Sequence, residues 1–341
     1  MQSHQKLFTS VFAAILAAAL SASLFACAPP AESAAPETTA SESAASEVSA
    51  SENAAAPADW SFQDALGRSV TIKAAPSRVA ALYGSFAEAW TLAGGTLAGT
   101  TEDAVSERGM ELPETVEIVG TTMEPNLESV LALDPDFVIL SSEVSAQAGL
   151  DETLTAAGIP HAYFSCKEYT EYLDMMKGFT TLTGRPDLYE QNAGRVGRQI
   201  EEILAKVPEE KAPTVLLLRA YSTGVKAKND DNVAGAMLRD LGADNIASRH
   251  SELLEDLSLE SIVAEDPDFI FVTTMGEDTQ KALDTLQETF EANPAWAGLS
   301  AVQNDRVVVL EKDLFHYKPN ARWGESYEKL AEILYPDVFA S

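Results

Sequence analysis

Residues 127–140 read LESVLALDPDFVIL, and residues 259–272 read LESIVAEDPDFIFV, so one segment occurs twice at a spacing of 132 residues. Eight of the fourteen positions are identical, and five more exchange one apolar residue for another. Each copy predicts a short helix that begins at a capping side chain, Asn126 or Ser258, and ends at Asp-Pro, with a buried strand after it. The repeat therefore predicts two lobes built on one common unit.

Apolar runs alternate with helical stretches on both sides of the repeat. The runs are Val79–Leu82, Leu97–Thr100, Phe137–Leu140, His161–Phe164, Val215–Leu218, Phe269–Thr273 and Val307–Leu310. Such alternation predicts parallel sheets covered by helices on both faces. Near the start of this region, residues 60–63 and 69–72 alternate apolar with polar side chains around a turn sequence, which predicts a hairpin.

The stretch Arg185–Val207 contains few helix breakers, has Pro186 at its beginning and stops before Pro208. This pattern predicts one long helix. The predicted fold is thus α/β, with two Rossmann-like lobes of mainly parallel sheet, at residues 59–184 and 209–341, joined by a bridging helix at 185–208.

The amino terminus has the pattern of an export signal, because Lys6 precedes the uncharged apolar run Leu7–Ala26. Residues 24–27, LFAC, resemble the bacterial lipoprotein box, in which cleavage before the cysteine exposes its thiol for lipid attachment. The alternative is an uncleaved membrane anchor. Residues 28–58 are mainly Ala, Ser, Glu, Pro and Thr, without aromatic residues, which predicts a disordered tether. We therefore expect a protein on the extracytoplasmic face of the membrane, lipid-anchored at Cys27.

The charge balance is strongly acidic, with 23 Lys and Arg against 53 Asp and Glu and a net charge of −30. A chain without a basic stripe cannot offset phosphate charge, which argues against nucleic-acid binding. The cysteines are Cys27 and Cys166, whose contexts differ so much that a disulfide framework is not expected.

Several motifs resemble the cobalamin and ferric-siderophore binding proteins of ABC importers. They are the repeated LES and DPDF unit, DALGRSVTIKAAPSRVAAL at 64–82, MLRDLGADNIA at 237–247 and NPAWAGLSAVQNDRVVVL at 293–310. The resemblance runs from about Trp60 to Pro336. It implies two α/β lobes joined by one long helix, and a transported metal chelate between them: haem, a ferric siderophore or, alternatively, cobalamin. It also implies no cofactor of the protein's own, no catalysis, and a permease with its cytoplasmic ATPase as partners.

In that family a glutamate from each lobe contacts arginines of the permease, and by motif these are Glu128 and Glu260. Both also fall in the first turn of a predicted helix, where a carboxylate favours the helix dipole. The two roles are compatible, and we expect the protein to act as a monomer.

Ligands of open α/β sheets bind at the carboxyl ends of the strands, so the loops there contain the candidate site. Tyr83 and Tyr221 follow the first strand of each lobe, and Arg219 shares the loop of Tyr221. A denser cluster precedes the last helix: His316, Tyr317, Lys318, Arg322 and Trp323. Aromatic rings stack on flat ligands and cations bind carboxylates, so this set predicts a large, partly apolar ligand with acidic groups.

Met123 and Met275 lie near strand ends, one in each predicted lobe. A thioether is a soft donor that can bind haem iron axially. Haem receptors that resemble this chain supply a methionine from the first lobe and a histidine from the second, where this sequence has Met275. The alternative is that both methionines are pocket-lining apolar groups.

A secreted hydrolase is the remote alternative, but the motifs G-x-S-x-G, H-E-x-x-H and G-x-G-x-x-G do not occur in the sequence. The exported part contains only His161, His250 and His316, which are widely spaced. A carrier of bare zinc or manganese would need convergent histidines and carboxylates. The sequence therefore favours a non-catalytic receptor whose lobes close on a metal chelate.

Overall fold

The computed structural model describes residues 55–210, 212–276 and 278–339. The predicted export signal, Cys27 and most of the predicted tether lie outside these residues. Within them, every helix is too short or too polar to span a bilayer.

The first lobe begins with the predicted hairpin, in which β1 (Trp60–Gln63) pairs antiparallel with β2 (Ser69–Ile72). Its main sheet is parallel and has the order β5-β4-β3-β6-β7. The strands are β3 (Val79–Ala81), β4 (Leu97–Thr100), β5 (Glu117–Ile118), β6 (Phe137–Ser141) and β7 (His161–Phe164). The strand order reverses between β3 and β6, so the carboxyl ends of these two strands form the topological switch point of this lobe, where ligands of open sheets bind.

The helices of this lobe are α1 (Gly84–Leu92), α2 (Asp103–Ser106), α3 (Leu127–Ala132), α4 (Ser145–Ala148), α5 (Asp151–Ala156) and α6 (Tyr169–Thr183). Strands β3, β6 and β7 are buried throughout. Burial on both faces explains why their sequences are mainly apolar, with Ser141 and His161 at strand ends.

The connection between the lobes is a helical run made of α7 (Pro186–Tyr189), a π-helical segment (Glu190–Gly194) and α8 (Arg195–Leu204). It is shorter than the predicted 185–208. Arg185 is not helical because the following proline disfavours that conformation. Within the π-helical segment, Asn192 donates its amide to the Leu92 carbonyl oxygen at 2.8 Å and accepts the Tyr172 hydroxyl at 2.8 Å.

The second lobe has a parallel sheet with the order β10-β8-β11-β12, and β9 pairs antiparallel with β8. The strands are β8 (Thr214–Tyr221), β9 (Gly224–Ala227), β10 (Asp244–Asn245), β11 (Phe269–Thr274) and β12 (Val307–Val309). The strand order reverses between β8 and β11, so the switch point of this lobe lies at the carboxyl ends of these two strands. All seven predicted apolar runs contain strands, whereas β5, β9 and β10 were not predicted because their sequences, EI, GVKA and DN, contain no apolar run.

The helices of this lobe are α9 (Val233–Asp240), α10 (Ile246–Arg249), α11 (Glu252–Glu255), α12 (Leu259–Glu265), α13 (Thr279–Glu291), α14 (Ser300–Gln303), α15 (Lys312–Phe315), α16 (Trp323–Leu334) and α17 (Pro336–Phe339). Two 3₁₀ turns, Pro294–Gly298 and Asn320–Arg322, join some of them.

The two copies of the repeat fold alike. Asn126 Oδ1 accepts the Ser129 amide at 3.1 Å, and Ser258 Oγ accepts the Ser261 amide at 3.4 Å, which confirms both predicted caps. The aspartate before proline lies just after each helix and has a positive φ: 47° at Asp134 and 43° at Asp266. A left-handed residue cannot continue the helix, so the chain turns there into the central strand of its lobe.

Candidate functional site

The carboxyl edge of the first sheet faces the second lobe, because side chains that follow β6 and β7 form ion pairs with that lobe. Lys318, on the loop after α15, donates to Glu143, which follows β6, at 2.6 Å. Lys167, which follows β7, pairs with Asp231 at 2.6 Å, and Arg239 pairs with Glu168 at 3.0 Å. The candidate site is therefore the crevice between the lobes.

Lys318 is a buried cation within this crevice, with only 5% of its surface exposed. Burial lowers the pKa of its ammonium, but Glu143 raises it through its negative charge and the hydrogen bond, and the pKa lies above its ordinary value. Tyr83 directly follows β3 and packs against Phe86 at a ring distance of 5.0 Å. Burial raises the pKa of the Tyr83 hydroxyl, so this phenol stays protonated beside the charged lysine.

His316 lies half-buried beside a group of cations, and its Nδ1 atom has no hydrogen-bond partner among the described residues. Burial, and then the neighbouring positive charges, lower the pKa of this imidazole to about 3. The cations are Arg219, Lys312, Lys318 and Lys228. His316 is consequently neutral at ordinary pH.

The β8–β9 pair adds to this positive charge. Arg219 lies directly opposite Lys226 in the antiparallel register, and the Lys228 amide donates to the Leu217 carbonyl oxygen at 2.8 Å. Opposed residues leave the same face of a sheet, and like charges in such pairs are destabilising. Arg219 and Lys228 have no carboxylate partner within the part of the chain that the structure describes. Their charges are available to an anionic ligand.

Tyr317 completes the cluster. It is buried, the Glu107 carboxylate lies near it, and the Lys312 ammonium lies 4.9 Å from the centre of its ring. Burial first and the charge of Glu107 second raise the pKa of Tyr317. The structure thus brings Tyr83, Arg219, His316, Tyr317 and Lys318 together.

The structure does not bring the last two members of the predicted cluster, Trp323 and Arg322, into this group, so their role in binding stays a prediction. Trp323 is completely buried, because the apolar face of α16 packs against α8. Arg322 is exposed and donates two hydrogen bonds to Glu325, at 2.7 and 2.9 Å. Consecutive residues at the start of a helix point in different directions. Sequence spacing alone therefore did not distinguish Arg322 and Trp323 from the residues that lie in the crevice.

The remaining candidates lie at the expected strand ends. Tyr221 is the last residue of β8 and is partly exposed. Met123 is on the loop after β5 with 64% of its surface exposed, and Met275 directly follows β11 with 42% exposed. Axial metal binding by these methionines stays a prediction. No cluster of three or more His, Cys, Asp or Glu side chains suited to a metal ion occurs in the described ranges.

Glu128 and Glu260 occupy the first turns of α3 and α12, and both are exposed. A helix that precedes a parallel strand runs back along the sheet, so its amino end lies at the sheet's carboxyl edge. Both carboxylates therefore lie at the edge of their own lobe that borders the crevice. Cys166 is fully buried, and burial raises its thiol pKa to about 12, which excludes a reactive thiolate there.

Sequence reasoning missed several groups of the site: Glu107, Glu143, Lys228, Lys312 and Asn320. Glu143 follows a predicted strand, and this position at a strand end could have identified it as a site residue. Lys228 follows β9, which was not predicted, so nothing marked it.

Comparison with known proteins gives relatives of the same size and fold. The Fe(3+)-citrate-binding protein YfmC of Bacillus subtilis is 24% identical over 249 residues, which cover 71% of this chain and 76% of that protein. The structure of Staphylococcus aureus IsdE complexed with heme has a TM-score of 0.64 at 18% identity, covering 76% of this chain and 98% of that one. Staphylococcus aureus SirA complexed with staphyloferrin B has a TM-score of 0.61 at 20% identity, covering 81% and 97%.

A family model described as "Periplasmic binding protein" matches residues 79–314, which run from β3 to α15. The match includes both copies of the repeat and the helical connection between the lobes, and it ends before His316, Tyr317 and Lys318. By this match the chain belongs to the periplasmic binding protein family.

Proposed function

We propose that this protein is the extracytoplasmic receptor of an ABC importer and that it binds an anionic iron chelate, a ferric siderophore or haem, between its lobes. The observation that carries the proposal is the group of cations beside neutral His316: Arg219, Lys228, Lys312 and Lys318. In a chain with a net charge of −30, such a group stabilises a bound anion. The relatives named for Fe(3+)-citrate, heme and staphyloferrin B support an iron complex as cargo.

The test is a titration of the full-length protein with ferric citrate, a ferric hydroxamate, haem and cyanocobalamin, in which tryptophan fluorescence reports binding. We expect an acidic iron chelate to bind roughly tenfold or more tightly than cyanocobalamin, because only the former gives Arg219 and Lys228 carboxylate partners. Arg219→Gln and Lys228→Gln should each weaken that binding by roughly tenfold. Lys206→Gln, at an exposed position outside the crevice, is the matched control. Preference for cyanocobalamin, or unchanged affinity in both crevice variants, would overturn the proposal.

Haem has a specific observation in its favour, since Met123 and Met275 expose their thioethers at the carboxyl edges of the two sheets. Axial binding predicts a shifted Soret band that Met123→Leu or Met275→Leu changes. A haem spectrum that is the same in both variants and the wild-type protein would argue against ligation by either methionine.

The proposal includes delivery to a permease through Glu128 and Glu260, and a lipid anchor at Cys27. Two acyl chains on that cysteine would hold the receptor at the bilayer, whereas one chain binds reversibly. Metabolic labelling with a radioactive fatty acid tests the anchor, and Cys27→Ser should abolish the label. A label that persists in Cys27→Ser would contradict lipidation at this cysteine.

A further inference from the structure

Residues 317–320, which we call the strap, leave the second lobe after α15 and bond to the first lobe. The Tyr317 hydroxyl lies near the Glu107 carboxylate, whose charge, second to burial, raises the pKa of Tyr317, and the Lys318 ammonium donates to Glu143 at 2.6 Å. Both carboxylates belong to first-lobe segments that follow parallel strands, β4 and β6. Two side chains of the candidate site thus depend on how the strap is held.

Asn320 fixes the end of the strap. It is fully buried, and its amide nitrogen donates to the Ser85 carbonyl oxygen at 2.8 Å and to Glu88 Oε2 at 2.7 Å, both on α1. Glu88 also accepts a hydrogen bond from Arg108 Nε at 2.9 Å, so its carboxylate is held and neutralised where Asn320 meets it. The hydrogen bond from Asn320 to Glu88 has a charged acceptor, and such bonds are among the stronger ones in proteins.

The backbone of Asn320 adds a second requirement, because its φ is +54°. Among residues other than glycine, Asn and Asp adopt this left-handed region most readily. Aspartate would fit the backbone but would present an oxygen to the Ser85 carbonyl and to the Glu88 carboxylate. Glycine would fit the backbone but would lose both hydrogen bonds. The site therefore suits asparagine in particular.

We propose that Asn320 is a positioning residue for cargo binding: it docks the strap on the first lobe and so holds Tyr317 and Lys318 in the crevice before cargo arrives. The inference rests on the proposed function for its link to cargo. Its physical basis is preorganisation, because side chains that are already ordered lose less entropy when the ligand binds.

The docking is tested on the cargo-free, full-length protein by amine labelling of Lys318 and by amide hydrogen exchange of the strap. Asn320→Asp should raise the labelling rate of Lys318 and the exchange rate of residues 317–322 by about tenfold or more. Asn320→Gly, which keeps the left-handed backbone, should do so to a smaller extent. The matched control is Asn304→Asp, which removes an amide donor to the Ser300 carbonyl oxygen (2.8 Å) at an exposed site in the second lobe.

The link to cargo is tested with ferric citrate as the probe. Asn320→Asp should weaken its binding, and the loss should be much less than additive with that of Lys318→Met, because the first acts through the second. Unchanged labelling and exchange in folded Asn320→Asp, or in Asn320→Gly if the aspartate variant does not fold, would overturn the inference, as would additive losses. Failure of ferric citrate to bind the wild-type protein would count against that proposed cargo, and the labelling would still decide the role of Asn320.

Discussion

Asp136 and Asp268 occupy the same place in the two copies of the repeat, and each binds the start of the neighbouring first strand. The Asp136 carboxylate accepts the Ser77 and Arg78 amides at 2.8 and 2.9 Å, just before β3. The Asp268 carboxylate accepts the amide and hydroxyl of Thr214, the first residue of β8, at 2.9 and 3.0 Å. The second aspartate of each DPDF motif thus joins the central strand of a lobe to the strand on the other side of the switch point of that lobe.

Replacing Asp136 with asparagine should lower the free energy of unfolding at pH 7 by about 1–2 kcal/mol, because a charged acceptor of backbone amides is lost. Burial alone would raise the pKa of Asp136, but the hydrogen bonds from Ser77 and Arg78 lower it below its ordinary value of 3.8. The stabilisation is therefore present above about pH 4 and lost as the pH falls below it. Urea unfolding at pH 7 and pH 3 measures the difference, which should narrow at the lower pH.

Asp134→Asn is the control for this experiment. Asp134 is exposed and forms only a surface ion pair with Arg78, and surface pairs contribute little to stability. An equal loss in both variants would show that the carboxylate of Asp136 has no special role.

Gly84→Ala should destabilise the first lobe by about 1–3 kcal/mol through overpacking. Gly84 begins α1, directly after Tyr83, and its amide donates to Asp103 Oδ2 at 2.7 Å. An added Cβ atom would lie 2.6 Å from the Ala104 nitrogen, a backbone atom that cannot rotate away. Thermal unfolding measures the loss, and Gly298→Ala is the control because a Cβ atom there would have no heavy atom within 4 Å. Equal melting temperatures for the two variants would contradict the expected close contact.

The sequence predicted the sheets well, because burial on both faces requires mainly apolar strands. It also predicted the helix caps well, because Asn126 and Ser258 bind amides only three residues further along the chain. The crevice was only partly predictable. Lys226 belongs to a short antiparallel strand, and Lys228 follows it; the pairing of that strand with β8 is set by the fold and leaves no local pattern. Asn320 depends on partners more than two hundred residues away in the chain, on α1. No local signal distinguishes such an asparagine from a solvated one.

The cargo-free protein should lose stability in acid because of His316. Burial and the neighbouring cations hold its pKa at about 3 in the folded protein, against 6.5 ordinarily, so only the unfolded chain gains a proton between these values. Stability is therefore lost as the pH falls from about 6.5 towards 3, by a few kcal/mol, since one pKa unit corresponds to about 1.4 kcal/mol. His316→Gln should flatten the dependence of the melting temperature on pH between 7 and 4. A variant with the wild-type slope would show that His316 is accessible to protons in the folded state.

Replacing both Glu128 and Glu260 with glutamine should separate binding from transport. Both carboxylates are exposed in the first turn of a helix, and neither forms an ion pair with a described residue, so cargo affinity should change by less than about twofold. If the proposed docking is correct, uptake by cells that depend on this receptor should fall by about tenfold or more, because each lobe would lose its proposed charged contact with the permease. Labelled iron chelate measures both quantities.

The matched control for this pair is Glu152→Gln with Glu288→Gln, which removes one exposed carboxylate from each lobe at positions outside the repeat. Normal uptake in the control and reduced uptake in Glu128→Gln with Glu260→Gln would assign docking to the repeated helices. If the two double variants transported equally well, the shared glutamates would be retained as helix-dipole partners alone, since a carboxylate in the first turn stabilises a helix by about 0.3–1 kcal/mol without any contact to a partner.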